Sequence, residues 1–138
     1  MLSHYAAMKA RLEAEPTLAG KINDTALVTA AGLPFVGSYE VLYGGAPDSL
    51  DDERLAAMQS STSDAVYVYT VRSVSPTAAG VRNQQAKVAA QLIGHRLVVA
   101  GRSCRVEQTD ATDVDWDRST NPPLYFADQE YTVYSSRV

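Results

Sequence analysis

Val66–Arg102, VYVYTVRSVSPTAAGVRNQQAKVAAQLIGHRLVVAGR, decides the fold. Its first nine residues, Val66 to Val74, are β-branched and aromatic at nearly every position, which suits a half-buried pleated strand. Ser75 then reads as a helix N-cap with Pro76 at the first helical position, where a missing N–H costs nothing. Ala78, Val81, Val88, Ala89, Leu92 and Ile93 recur at helical spacing, opposite Arg82, Asn83, Lys87 and Gln91, and Gly94 ends the helix. Leu97–Ala100, a turn at Gly101-Arg102 and Cys104–Val106 then form a hairpin or one bulged long strand.

Working outward toward the N-terminus, Met1, Tyr5, Met8 and Leu12 place one amphipathic helix over residues 2–14, stopped by Pro16. Ile22–Thr29 reads as a strand, and Tyr39–Tyr43 as a short one closed by Gly44-Gly45. Between them, Gly32 and Pro34 mark a loop that nevertheless carries Leu33, Phe35 and Val36. Either these side chains tuck into the core, or the loop is held out for another subunit. Over residues 46–63, Ser49 with Asp52 resembles a capping box and Leu50, Leu55 and Met58 could face inward, which gives a short helix before the Ser60–Ser63 turn. Toward the C-terminus come an acidic loop, Asp110–Pro123, a strand Leu124–Ala127, a break near Asp128 and a last strand Glu130–Ser135.

The result is an α+β chain: a mixed, mostly antiparallel sheet covered by two main helices, in a single domain over residues 1–138. With 46% apolar and 20% charged residues the composition is globular. A net charge of −4 argues against affinity won by neutralising nucleic-acid phosphates. The single cysteine, Cys104, cannot form an internal disulfide and reads as a core residue kept reduced. Charges interrupt residues 1–15, so they do not resemble a signal peptide, and no apolar run approaches the roughly 20 residues of a membrane-spanning helix. The expected place of synthesis and folding is the cytoplasm.

Catalytic motifs are not found. His4 and His95 stand outside any metal-ligand spacing, and there is neither a nucleophile elbow nor a phosphate-cradling glycine loop. Asp113, Asp115 and Asp117 begin like a calcium loop, but Arg118 and Leu124 stand where that loop needs Gly and Glu. No cofactor or metal is expected, and the chain reads as something other than an enzyme. Trp116, set among aspartates, is either an interface anchor or a ring folded back on its own domain. Eight tyrosines against two phenylalanines, among them Tyr67, Tyr69, Tyr125, Tyr131 and Tyr134, give strands with wet-tipped rings that suit cores and subunit contacts alike.

The second half is similar to a known pattern. Ser73–Thr77 leads into the helix, Leu92–Arg102 follows it, and an Asp-rich loop comes next. Pro122–Ala127 and Glu130–Arg137 complete the pattern. It resembles the tail terminator proteins of long-tailed siphophages, especially those of actinobacterial hosts, over about residues 64–137. The first half matches by length and layout only. The resemblance implies a virion protein, a ring usually of six subunits that caps the tail tube, ends its polymerisation and offers a surface to the head connector. Its implied partners are itself, the major tail tube protein and the head–tail connector or stopper, with DNA sliding through without specific binding and no membrane involved. On that reading Leu33, Phe35, Val36, Tyr39 and Trp116 are candidates for subunit or tube contacts. Asp110, Asp113, Asp115 and Asp117 are candidates for an acidic channel lining that repels phosphate. The alternatives are another head–tail connector, stopper or tail-completion subunit, or a small ligand-binding domain.

Overall fold

The computed structural model describes residues 4–48, 65–120 and 122–137. The elements are α1 (His4–Glu13), β1 (Ile22–Asn23), β2 (Tyr39–Asp48), β3 (Ala65–Ser75), α2 (Ala78–Leu92), β4 (Arg96–Val99), β5 (Arg102–Ala111), β6 (Asp115–Asp117) and β7 (Leu124–Arg137). All seven strands belong to one sheet in the order β1-β2-β3-β7-β5-β4, with β6 also on β7. Among the described residues only the β1–β2 pairing is parallel. The fold is α+β, as the sequence predicts. The short helix expected between Ser49 and Met58 falls outside the described residues, as does Met1.

Both helices lie on one face. Alternation along the strands sends Leu42, Tyr69, Val71, Cys104, Val106, Tyr131 and Val133 to that side, where Met8, Leu12, Val88 and Leu92 meet them. Arg11 Nε donates to the Gln91 carbonyl at 2.7 Å, which joins α1 to the last turn of α2. Tyr5 donates its hydroxyl to the Leu42 carbonyl at 2.9 Å and fastens α1 to β2. Cys104 is fully buried, the core role the sequence suggests.

Several boundaries differ from expectation. The strand predicted over Ile22–Thr29 stops after Asn23: Asn23 Nδ2 donates back to the Lys21 carbonyl at 2.9 Å, and the chain leaves the sheet. Gly44-Gly45 does not close β2. Both glycines take positive φ (96° and 85°) and form a bulge through which the strand runs on to Asp48. A Cβ on Gly44 would lie 2.6 Å from the Val68 carbonyl oxygen, so the bulge needs glycine there.

The N-cap of α2 is Thr77, not Ser75. Ser75 is held in the sheet opposite Tyr125, so the helix starts later, and Thr77 Oγ1 accepts from the Gly80 N–H at 3.0 Å. Ile93 leaves the apolar stripe because its backbone is already extended, and its side chain is exposed. The break expected near Asp128 is absent: β7 is continuous, and Asp128 sits directly opposite Arg72 on β3. Asp110–Pro123 is only partly a loop, since β5 runs through Ala111 and β6 takes up Asp115–Asp117. The β4–β5 segment is a hairpin, turning through Gly101 at φ 74°.

Candidate functional site

The sheet face away from the helices carries the surface features. At one end it is covered by residues 24–38, which fold as a small arm. Thr29 N–H donates to the Leu33 carbonyl at 2.7 Å, Phe35 N–H to the Leu27 carbonyl at 3.0 Å, and Val28 bridges Pro34. The arm's inner side joins a second apolar cluster of Tyr39, Val41, Val74 and Leu124, with Leu27 and Phe126. Its outer side is unusual: Val28, Leu33 and Val36 are exposed, and Phe35 is 38% exposed with its ring edge-on to Tyr39 at 5.9 Å. Leu33, Phe35 and Val36 therefore keep exposed surface, while Leu27 is the arm residue that packs on the inner cluster. Tyr39 belongs to the inner group, being only 4% exposed, and its hydroxyl accepts from the Leu27 N–H at 3.4 Å.

An open groove of about 700 Å³ lies between the arm and the chain after β6. Leu27, Val28, Pro34, Val74, Leu124 and Phe126 make it apolar, and Asp117 and Arg118 stand at its rim. A second hollow of about 650 Å³, lined by Leu33, Phe35 and Val36, continues it across Ser119 and Thr120. Trp116 is held between two neighbours: its ring stacks on Tyr125 (centroids 6.2 Å apart) and the Arg118 guanidinium lies 4.6 Å from its centroid. Even so, it keeps 41% of its surface exposed.

The four candidate aspartates do not form one cluster. Asp110, next to last in β5, lies opposite Glu130 and, with Asp128 and Glu130, lines a small cleft of about 180 Å³. Asp113 lies in the link to β6, and Asp115 and Asp117 lie on β6 itself. All four are exposed. Two hydrogen bonds from Ser119 hold the Asp117 carboxyl below the usual carboxylate range. Beyond Arg105, the last residue paired with β4, no strand among the described residues covers the outer edge of β5. The acidic side chains of Glu107 to Asp117 therefore flank an open sheet edge, where like charge disfavours pairing with a copy of itself.

His4 has a structural role. His4 stacks on Tyr67 at 4.1 Å, and its Nε2 lies 2.8 Å from Ser135 Oγ. That hydroxyl also accepts from Arg102 Nε at 2.5 Å. Burial, with the Arg102 charge, lowers the His4 pKa. Ser135 is buried, and this imidazole–hydroxyl pair fixes α1 to β7. Beneath α2, Glu40 is fully buried; its carboxylate accepts from Ser73 Oγ and Gln84 Nε2, both at 2.7 Å. Desolvation dominates there and pushes its pKa up to about 7. Among the described residues no group of His, Cys, Asp and Glu could hold a metal ion, and no helix is long and apolar enough to cross a membrane.

Sequence reasoning missed Val28, Ile93 and Val98 as surface features. Val98, 81% exposed, is the most notable. The signal was present: four apolar residues in a row, Leu97–Ala100, cannot all face one side of a strand.

No protein-family model matches the chain, and no curated protein matches it in sequence. Its fold does have a counterpart among solved structures. A chain in the virion of a native gene transfer agent particle superposes with a TM-score of 0.69 at 16% identity, over 97% of this chain and 95% of that one.

Proposed function

We propose that this chain is a structural protein of a phage-like virion, which caps the tail tube as a ring, ends tube growth and presents a surface to the head connector. The observation that carries the reading is the fold it shares, nearly end to end, with a chain of a gene transfer agent virion. The likeness of residues 64–137 to tail terminators narrows that reading to the head-proximal end of the tail. Exposed apolar side chains on the arm and at Trp116 suit a protein that works by contact, not by chemistry. Its partners on this reading are further copies of itself, usually six, the tail tube protein and the connector. Assembly takes place in the host cytoplasm.

The test is to add purified protein to purified tail tubes and image them by negative stain. Rings at one end of every tube support the terminator reading. Binding to the head's connector and not to tubes makes it a neighbouring joining subunit. Failure to bind either, together with a large thermal shift from a small molecule, returns the ligand-binding alternative.

The exposed aspartates have a role in this scheme as a channel surface that repels DNA phosphates. Changing Asp110, Asp113, Asp115 and Asp117 to asparagine should slow genome ejection, and unchanged ejection kinetics would remove that role.

A further inference from the structure

We infer that the start of α1 is held to the sheet by a proton-sensitive latch, the neutral His4 imidazole on the Ser135 hydroxyl, which acid releases while the rest of the fold stays closed.

Side-chain hydrogen bonds tie α1 down along its length. His4 Nε2 lies 2.8 Å from Ser135 Oγ on β7, the Tyr5 hydroxyl reaches the Leu42 carbonyl on β2, and Arg11 reaches the Gln91 carbonyl on α2. Of these contacts, the first alone contains a side chain whose charge ordinarily changes between pH 5 and 8.

The hydrogens around Ser135 decide the state in which the latch closes. Its Oγ accepts from Arg102 Nε at 2.5 Å and from the Cys104 thiol at 3.5 Å. A hydroxyl has two lone pairs and one hydrogen, so both lone pairs are taken and the hydrogen points to His4 Nε2. That nitrogen must therefore be bare, with the ring proton on Nδ1. An imidazolium would aim a second N–H at a hydroxyl that has nothing left to accept it.

The surroundings add to the penalty. The titratable and charged groups that face the imidazole are Arg102 and Cys104 from β5 and Tyr67 from β3, whose ring stacks on it at 4.1 Å. On β7, Arg137 stands opposite Arg102, on the same face as Ser135. None of these is a carboxylate that could balance a new positive charge. Burial and the Arg102 charge accordingly hold the His4 pKa below its ordinary value. Once the imidazole swings into water it titrates near 6.5, so falling pH favours the released form. The Tyr5 and Arg11 contacts do not titrate in this range, and the opening is confined to the first turns of α1. It bares the Tyr67 ring and the Ser135 hydroxyl at one end of the helix-covered face.

Amide hydrogen exchange of the full chain, followed by NMR at pH 5 and pH 7.5 and corrected for the intrinsic rate, tests this. The Met8 and Lys9 amides bond back to the first turn of α1. They should open more often at pH 5, by up to about thirtyfold, while the amides of α2 show no comparable change. His4→Phe keeps a ring on Tyr67 that cannot titrate, and its α1 should open equally at both pH values. If that variant does not fold, Arg102→Gln replaces it. It keeps a donor for Ser135 without the charge, so its α1 should need a lower pH to open. Equal opening of the parent's α1 at the two pH values overturns the inference. So does α2 opening in step with α1, or a variant that keeps the parent's pH dependence.

Discussion

Arg72 and Asp128 face each other across β3 and β7, joined by two hydrogen bonds: Nε to Oδ1 at 2.8 Å and Nη2 to Oδ2 at 3.0 Å. The pair marks the border on the open face between the apolar groove and the acidic cleft. The same guanidinium lies 4.7 Å from the centre of the Phe126 ring. One side chain therefore serves both neighbours.

Arg72→Ala should leave Asp128 beside Asp110 and Glu130 with no cation opposite it. Because the pair is partly exposed, the expected loss is about 1 kcal/mol, read from urea unfolding. Added salt should reduce that loss by screening the carboxylates. A loss that is the same at low and high salt would assign the whole effect to packing on Phe126.

Glu40 predicts a pH dependence of known sign. Its folded-state pKa, about 7, lies above the ordinary 4.5, so the native state holds the proton more tightly. The associated stability is fully present below about pH 4.5 and is lost as pH rises through about 7. Glu40→Gln keeps a partner for Ser73 and Gln84 without the charge. It should match the parent near pH 4.5 and exceed it at pH 8, by up to about 3 kcal/mol. His4 acts in the opposite direction, since its lowered pKa makes stability fall as pH drops below 6.5. Subtracting the parent's profile from the variant's removes the His4 contribution; a flat difference would sink the Glu40 argument.

The start of α2 allows a test of which residue caps it. Thr77→Ala should cost about 1 kcal/mol by freeing the Gly80 N–H. Gly80→Ala, usually a gain of about 1 kcal/mol within a helix, should here be a loss. Its Cβ would fall 2.9 Å from Thr77 Oγ1 and closer still to Ser75 Oγ. Chemical denaturation of both variants decides the point; stabilisation by Gly80→Ala would show that the turn can open.

Cys104 should be inert to a thiol reagent in the native state and react only at the rate of unfolding, because it is fully buried. Fast labelling under native conditions would mean that β4 lifts off β5 far more often than the rest of the sheet.

The elements legible in the sequence were those whose own residues carry the pattern. VYVYTVRSV needs no partner to read as a strand, and Val81, Val88 and Leu92 define the α2 stripe. What was not legible depended on residues distant in sequence. Asp128 looks like a strand breaker until Arg72 is placed opposite it. Gly44-Gly45 looks like an end until the β3 register shows a bulge. The Asp-rich stretch looks like a loop because the strand that orders part of it, β7, comes later in the chain. The candidate site shows the same division. Leu33, Phe35 and Val36 could be suspected from apolar residues in a loop, but the burial of Tyr39 and the exposure of Val98 follow from register alone.

The continuity of β7 has a consequence for how such a protein bears load. The strand spans from Leu124 at the groove to Arg137, with β3 along one side and β5 and β6 along the other. Antiparallel ladder bonds run perpendicular to the strands. A pull along β7 therefore shears many bonds together and does not peel them apart one by one. Tension applied at those two ends meets the sheet in its most resistant direction.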